Sequence, residues 1–142
     1  LLNIGVSPLS HDVKGQDFDK MTDFDMMVVD VTLGAEEAVE KLAELTHHLG
    51  VQNAGVVLTV PGGSSAKMIG VTLAQFSELA PATALTKLDE CETTAYEFSA
   101  LHQANARIGM LSGTKSVVGA IAFASQKILS QYLKENFSLP IE

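Results

Sequence analysis

Short apolar runs that do not alternate, separated by stretches of helical periodicity, constrain this chain more than any other feature. Met26 to Val31 (MMVVDV), Ala54 to Val60, Ala82 to Leu85 and Arg107 to Leu111 each read as a strand covered on both faces, and Asn3 to Ser7 as a shorter first one. Each ends near Gly, Ser, Thr or Asp, where turns and caps belong. Between them lie apolar stripes at helical spacing: Ala38, Leu42, Leu45 and Leu49; then Ile69, Leu73, Phe76 and Ala80; then Ala95, Phe98 and Leu101. A last helix is predicted after Ser125 as N-cap, turning Ile128, Leu129, Tyr132 and Leu133 inward and ending near Asn136. This alternation predicts one α/β domain over residues 1–142, a three-layer sandwich around a mostly parallel sheet of about five strands. Ligands of such sheets sit beyond the carboxyl ends of the strands. The residues to inspect are therefore those just after each run: Asp30 to Gly34, Pro61 to Ser65, Thr86 to Asp89 and Ser112 to Ser116.

Composition narrows the function classes. Apolar residues make up 46% of the 142 and charged residues 18%, too apolar for disorder. The longest apolar runs fall well short of a bilayer-crossing helix, and no charged start leads into an apolar stretch and cleavage site. Nine Lys plus Arg against 17 Asp plus Glu give a net charge of −8, which argues against nucleic acid as a partner. A small phosphorylated ligand is not excluded, because backbone N–H groups at a helix start can hold it without a basic surface. The single Cys91 rules out an internal disulfide and fits a reducing, cytoplasmic setting.

Among candidate site residues, Thr86-Lys87-Leu88-Asp89 is the most informative segment. A carboxylate at a strand end can accept from both the ring N–H and the exocyclic amine of guanine, whereas adenine offers a lone pair in place of that N–H. A mismatched base leaves buried polar groups unpaired. The Lys stem can lie along the base while its ammonium stays near polar oxygens. The alternative is that Asp89-Glu90-Cys91-Glu92 is a capping box, with Asp89 as N-cap. Asp30 would face a magnesium ion through water, cap the helix that starts near Ala35, or stand as an exposed strand-end carboxylate. Pro61-Gly62-Gly63-Ser64-Ser65 would either hold an anion on free N–H groups or supply an N-cap from one of its serines. His47 and His48 are adjacent, so they point about 100° apart on a helix, poor geometry for one metal. No Ser lies in a G-x-S-x-G turn. Cys91 is expected in the first turn of a helix, with Glu90 and Glu92 opposing any acidification of its thiol.

Thr86-Lys87-Leu88-Asp89-Glu90 resembles the TKLDE guanine-specificity motif of signal-recognition-particle-type GTPases, especially the flagellar FlhF-type members. The resemblance extends both ways along the chain. Phe24 to Asp30 is similar to the strand leading into that family's magnesium-side Asp, and Val57 to Gly63 to the strand and loop that come next. Arg107 to Val117 is similar to the last core strand and the Gly-containing loop that closes over the base. Ala124-Ser125 and the following helix match the closing helix. What the resemblance implies is a P-loop NTPase-like fold that lacks the P-loop segment, the C-terminal part of a GTPase domain. Thr86, Lys87 and Asp89 would read the base, Ser112, Gly113, Thr114 and Lys115 would line its pocket, and Asp30 would face the phosphates. The implied ligands are GTP or GDP, with magnesium only in an intact parent protein. The parent would be bacterial, sited in the cytoplasm or peripherally at the inner membrane, and would help place flagella.

The departures from that pattern carry information too. No G-x-x-x-x-G-K-[ST] is present, so this chain alone is not expected to hydrolyse GTP. After Asp30 stands Val31-Thr32-Leu33-Gly34, with the Gly one position later than in the family. Ala95-Tyr96 occupies the place of its Gly pair. These changes favour a rival function, a non-catalytic interaction domain that keeps the fold. A missing phosphate-loop strand would leave the sheet to reseal, to expose an edge or to recruit a second chain, and a homodimer joined through strand edges is one expected outcome.

Overall fold

The structure, a computed structural model, describes residues 26–50, 52–91, 94–113 and 121–137. Its contacts group into two units, residues 1–32 and residues 33–142.

In the first unit, residues 26–32 take no regular secondary structure, and Met26, Val28 and Asp30 are exposed. The strand expected at Met26 to Val31 is therefore corrected. An apolar run becomes a strand only where a neighbouring ladder takes up its N–H and C=O groups, and the run itself does not provide one. The strand expected at Asn3 to Ser7 lies outside the described residues.

Among the described residues the second unit is α/β, with four helices and a four-stranded mixed sheet. Its elements run α1 (Ala35–Leu49), β1 (Val57–Pro61), α2 (Ala66–Gln75), a 3₁₀ turn (Ser77–Leu79), β2 (Ala82–Thr86), α3 (Ala95–Gln103), β3 (Arg107–Ser112), β4 (Ile121–Phe123) and α4 (Gln126–Asn136). The strands lie in chain order, β1-β2-β3-β4. β1 pairs with β2 and β2 with β3 in parallel, while β3 pairs with β4 antiparallel. β4 was not among the expected strands. The register slips between Thr83–Ile108 and Ala84–Met110, which leaves Gly109 as the extra residue of a bulge. A Cβ at Gly109 would come within 3.3 Å of the Ala82 Cβ, so a glycine suits this crowded spot.

The core lies where α2, α3 and α4 meet the sheet. Val60, Leu85 and Leu111 from the strands pack with Ile69 and Leu73 of α2, Ala100 and Leu101 of α3, and Tyr132 of α4. Phe98 joins α3 to α4 through Tyr132, with ring centroids 5.9 Å apart. Two expected caps are present: the side chains of Ser65 and Ser125 accept from the N–H groups of Met68 and Ile128. Both hold the first turn of a helix at about 1 kcal/mol each. α1 ends at Gly50, whose φ of 80° no side chain favours. Three residues assigned to inward stripes face out instead, the first being Ala80, the left-handed residue that closes the 3₁₀ turn. Ala95 is exposed because it is the first residue of α3, and Leu133 is exposed beside the buried Tyr132.

Candidate functional site

The carboxyl ends of β1, β2 and β3 form one rim, and backbone hydrogen bonds lock it together. The Gly62 N–H donates to the Thr86 carbonyl at 2.8 Å, and the Leu88 N–H donates to the Ser112 carbonyl at 3.2 Å. The turn after β1 therefore bonds to the end of β2, and the turn after β2 to the end of β3. Lys87 makes this possible by taking a φ of +57°, a left-handed conformation rare for a residue with a Cβ. It reverses the chain, so Leu88 drives into the core at 8% exposure while Asp89 stays at the surface.

Asp89 and Gly113 meet there. A Cβ built on Gly113 would overlap the Asp89 Oδ1 and come within 3.0 Å of both the Asp89 Cγ and the Leu88 N. Gly113 also has a φ of +81°. Backbone conformation and space both demand glycine at 113. An exposed carboxylate lies against a bare backbone turn, open to a ligand edge that presents N–H groups. The Lys87 ammonium stands 3.7 Å from Glu90, an exposed pair of the sort that contributes about 0–1 kcal/mol and yields readily to a competing contact.

The capping-box alternative for Asp89 is corrected. α3 starts at Ala95, with Thr94 as N-cap, so Asp89 lies five residues upstream of the cap. Thr94 and Glu97 stand at capping-box spacing instead, and the Glu97 carboxylate accepts from the Thr94 N–H. The cause lies in what Glu97 also reaches: its Oε1 accepts from the Gly63 N–H at 2.7 Å, across to the turn after β1. Glu97 is buried, at 7% exposure, and its carboxylate was not singled out in the sequence. The T-x-x-E spacing at 94–97 was the signal that could have found it.

That bond also settles Pro61 to Ser65. The Gly62 N–H is committed to Thr86, the Gly63 N–H to a carboxylate and the Ser64 N–H to the Pro61 carbonyl at 3.3 Å. An anion at the glycine turn would find the Gly62, Gly63 and Ser64 donors taken and a buried acid already in place, which counts against the anion-site alternative there. Ser65 is the N-cap.

Cys91 lies before α3 and not in its first turn. Its thiol donates to the Lys87 carbonyl at 3.1 Å. Burial, followed by the charges of Glu97, Glu90 and Asp89, pushes that thiol above its ordinary range. Asp30 belongs to the unit of residues 1–32, and the N-cap of α1 is Gly34, without a side-chain bond, so the capping role proposed for Asp30 is corrected as well. Thr114 and Lys115 lie outside the described residues. Among the described residues no group of three His, Cys, Asp or Glu could hold a metal ion, and no helix is long and apolar enough to cross a membrane.

A separate open groove of about 760 Å³ runs between α2 and α3, lined in part by Ala66, Gly70, Ala74, Tyr96, Ser99 and Gln103. None of the rim residues contributes to it. No protein-family model matches the chain, and a search of curated proteins finds no match.

Proposed function

We propose that this chain is the guanine-nucleotide-binding portion of a flagellar-type GTPase of the signal-recognition-particle kind, not hydrolytic on its own. The observation that carries the reading is the Asp89 carboxylate set against the Gly113 backbone at the strand rim. In this reading Asp89 accepts from the ring N–H and the amine of guanine, and Lys87 exchanges Glu90 for the face of the base. Thr86 and Ser112 hold the turns by their carbonyls, and Gly113, Thr114 and Lys115 form the opposite wall. The fold proposed with it is a P-loop NTPase-like three-layer sandwich with a mostly parallel sheet, supported by the two parallel pairings of β2. The proposed setting is bacterial cytoplasm or the inner face of the membrane at a flagellar pole, with no nucleic-acid partner.

A second reading, a non-catalytic interaction domain, is favoured by the open α2–α3 groove and by the exposed Tyr96 beside it. Titrating the chain with GDP, GTP and ATP, followed by backbone amide shifts, separates the two. Weak binding with guanine preferred over adenine, and shifts centred on Leu88, Asp89 and Gly113, are expected. Asp89→Asn should lose GDP affinity roughly tenfold to a hundredfold and gain xanthosine diphosphate, because an amide can donate to the carbonyl that replaces the guanine amine. Flat titrations with every nucleotide would leave the interaction domain ahead.

A further inference from the structure

Glu97 sits on α3, outside the rim residues assigned to the base, yet its carboxylate holds two separate loops. One oxygen accepts from Gly63 in the turn after β1, and the other from Thr94 at the head of α3. Through Gly63 it presses the glycine pair onto the β2 turn. A Cβ on Gly62 would overlap the Cys91 Sγ and come within 3.3 Å of Leu88 Cδ2, and one on Gly63 would lie 3.4 Å from the Cys91 Cβ. The Gly62 N–H is bonded to Thr86, the Leu88 N–H to Ser112, and Asp89 rests on Gly113. A continuous series of contacts thus runs from Glu97 to the carboxylate proposed to read the base.

We propose that Glu97 is a positioning residue for that carboxylate, acting as a two-point brace that fixes the β1 turn beneath residues 86–91 and so sets where Asp89 stands relative to Gly113. The inference rests on the guanine reading and names a residue outside its motif. A carboxylate suits the task because both of its oxygens are acceptors, and the two partners are both donors. An amide of the same shape offers one acceptor and turns an NH₂ toward the other N–H. Burial raises the cost of that mismatch.

The test uses Glu97→Gln and Glu97→Asp in the same chain, with circular dichroism for folding, amide exchange for the turns, and GDP against ADP titrations. Glu97→Gln should lose GDP affinity roughly tenfold, with faster exchange at Gly62, Leu88 and Gly113; the Gly62 and Leu88 N–H groups bond to Thr86 and Ser112, not to residue 97. Glu97→Asp keeps the charge at the head of α3 but is one methylene short of spanning both donors. It should fold, and it should weaken GDP binding in the same way. A residue that served only the helix would show a lower melting temperature and faster exchange at the start of α3, with the 88 and 113 amides and GDP affinity unmoved; that pattern in either variant overturns the proposal. If wild type itself binds no guanine nucleotide, the guanine reading falls with it. If wild type binds and both variants bind equally well, only the brace falls.

Discussion

Lys87 and Thr83 lie four residues apart on either side of the end of β2, and both are held in unfavourable states. Lys87 carries a left-handed backbone, which costs on the order of 1–2 kcal/mol for a residue with a Cβ. The strain is tolerated because Leu88 gains burial and two flanking turns gain hydrogen bonds, so it marks the turn where Asp89 is presented. Thr83 is different. It is 1% exposed, and its Oγ1 is buried with no hydrogen-bond partner. No neighbouring turn uses that hydroxyl, and the position is a core position occupied by a polar atom. Thr83→Val keeps the shape and the β-branch while removing the unpaired group. It should stabilise the protein by about 1 kcal/mol, since an unsatisfied buried hydroxyl costs on the order of 1–3 kcal/mol and the swap is not fully isosteric. Urea denaturation should show a raised midpoint with an unchanged slope. A lowered midpoint would mean that the hydroxyl is satisfied in solution.

At the scale of elements, the local signals in the sequence were those that one element contains within itself. Ser65 and Ser125 cap helices because an Oγ three residues before a backbone N–H reaches it whatever else surrounds the helix. The runs at β1, β2 and β3 were legible for the same reason, being apolar and flanked by turn residues. Residues 26–31 have the same composition without a strand, and β4 is three residues long, too short to leave a period. The start of α3 was misplaced because Asp89 and Thr94 both fit a capping box, and a bond to Gly63, thirty-four residues away from Glu97, goes with the second. Ser112 and Gly113 were picked from their place after a strand, and the contact of Gly113 with Asp89 needed coordinates. The packing of the β1 turn on the β2 turn is the element-level feature most open to test. Gly62→Ala should cost about 2 kcal/mol by overpacking against the Cys91 sulfur. Cys91→Ala alone should be milder, and adding it to Gly62→Ala should recover much of the loss, because the atom in the way has gone. A double-mutant cycle on thermal unfolding would read a coupling of roughly 1 kcal/mol or more between the two sites. Simple additivity would separate the turns and remove the contact that the Glu97 brace depends on.

For the whole molecule the question is what the sheet does at its margins. Among the described residues, β4 pairs only with β3, and its alternation puts Ala122 inward while Ile121 and Phe123 stand 61% and 79% exposed. Met110 and Ser112 lie opposite Phe123 and Ile121 in the ladder, so the exposed pair continues across a partly buried surface of β3. A short edge strand limits uncontrolled pairing, and charge or proline would limit it further, but neither occurs within Ile121–Phe123. The sequence suggests a homodimer joined through strand edges without saying which edge; we propose this one as the place where a second copy would pair. Its association has a distinctive dependence on salt. Each copy carries a net charge of −8, so two copies repel at long range, while the contact itself is apolar. Raising the ionic strength shortens the reach of the repulsion to about 8 Å near 0.15 M and leaves the apolar burial intact, so dimerisation should strengthen with salt. Sedimentation over a concentration series at low and moderate salt is the measurement, with Phe123→Lys as the variant that puts a charge on the edge and should keep the chain monomeric. Ion-paired dimers would weaken with salt instead, which would place the contact elsewhere, and a monomer at every concentration and salt would leave this edge facing solvent.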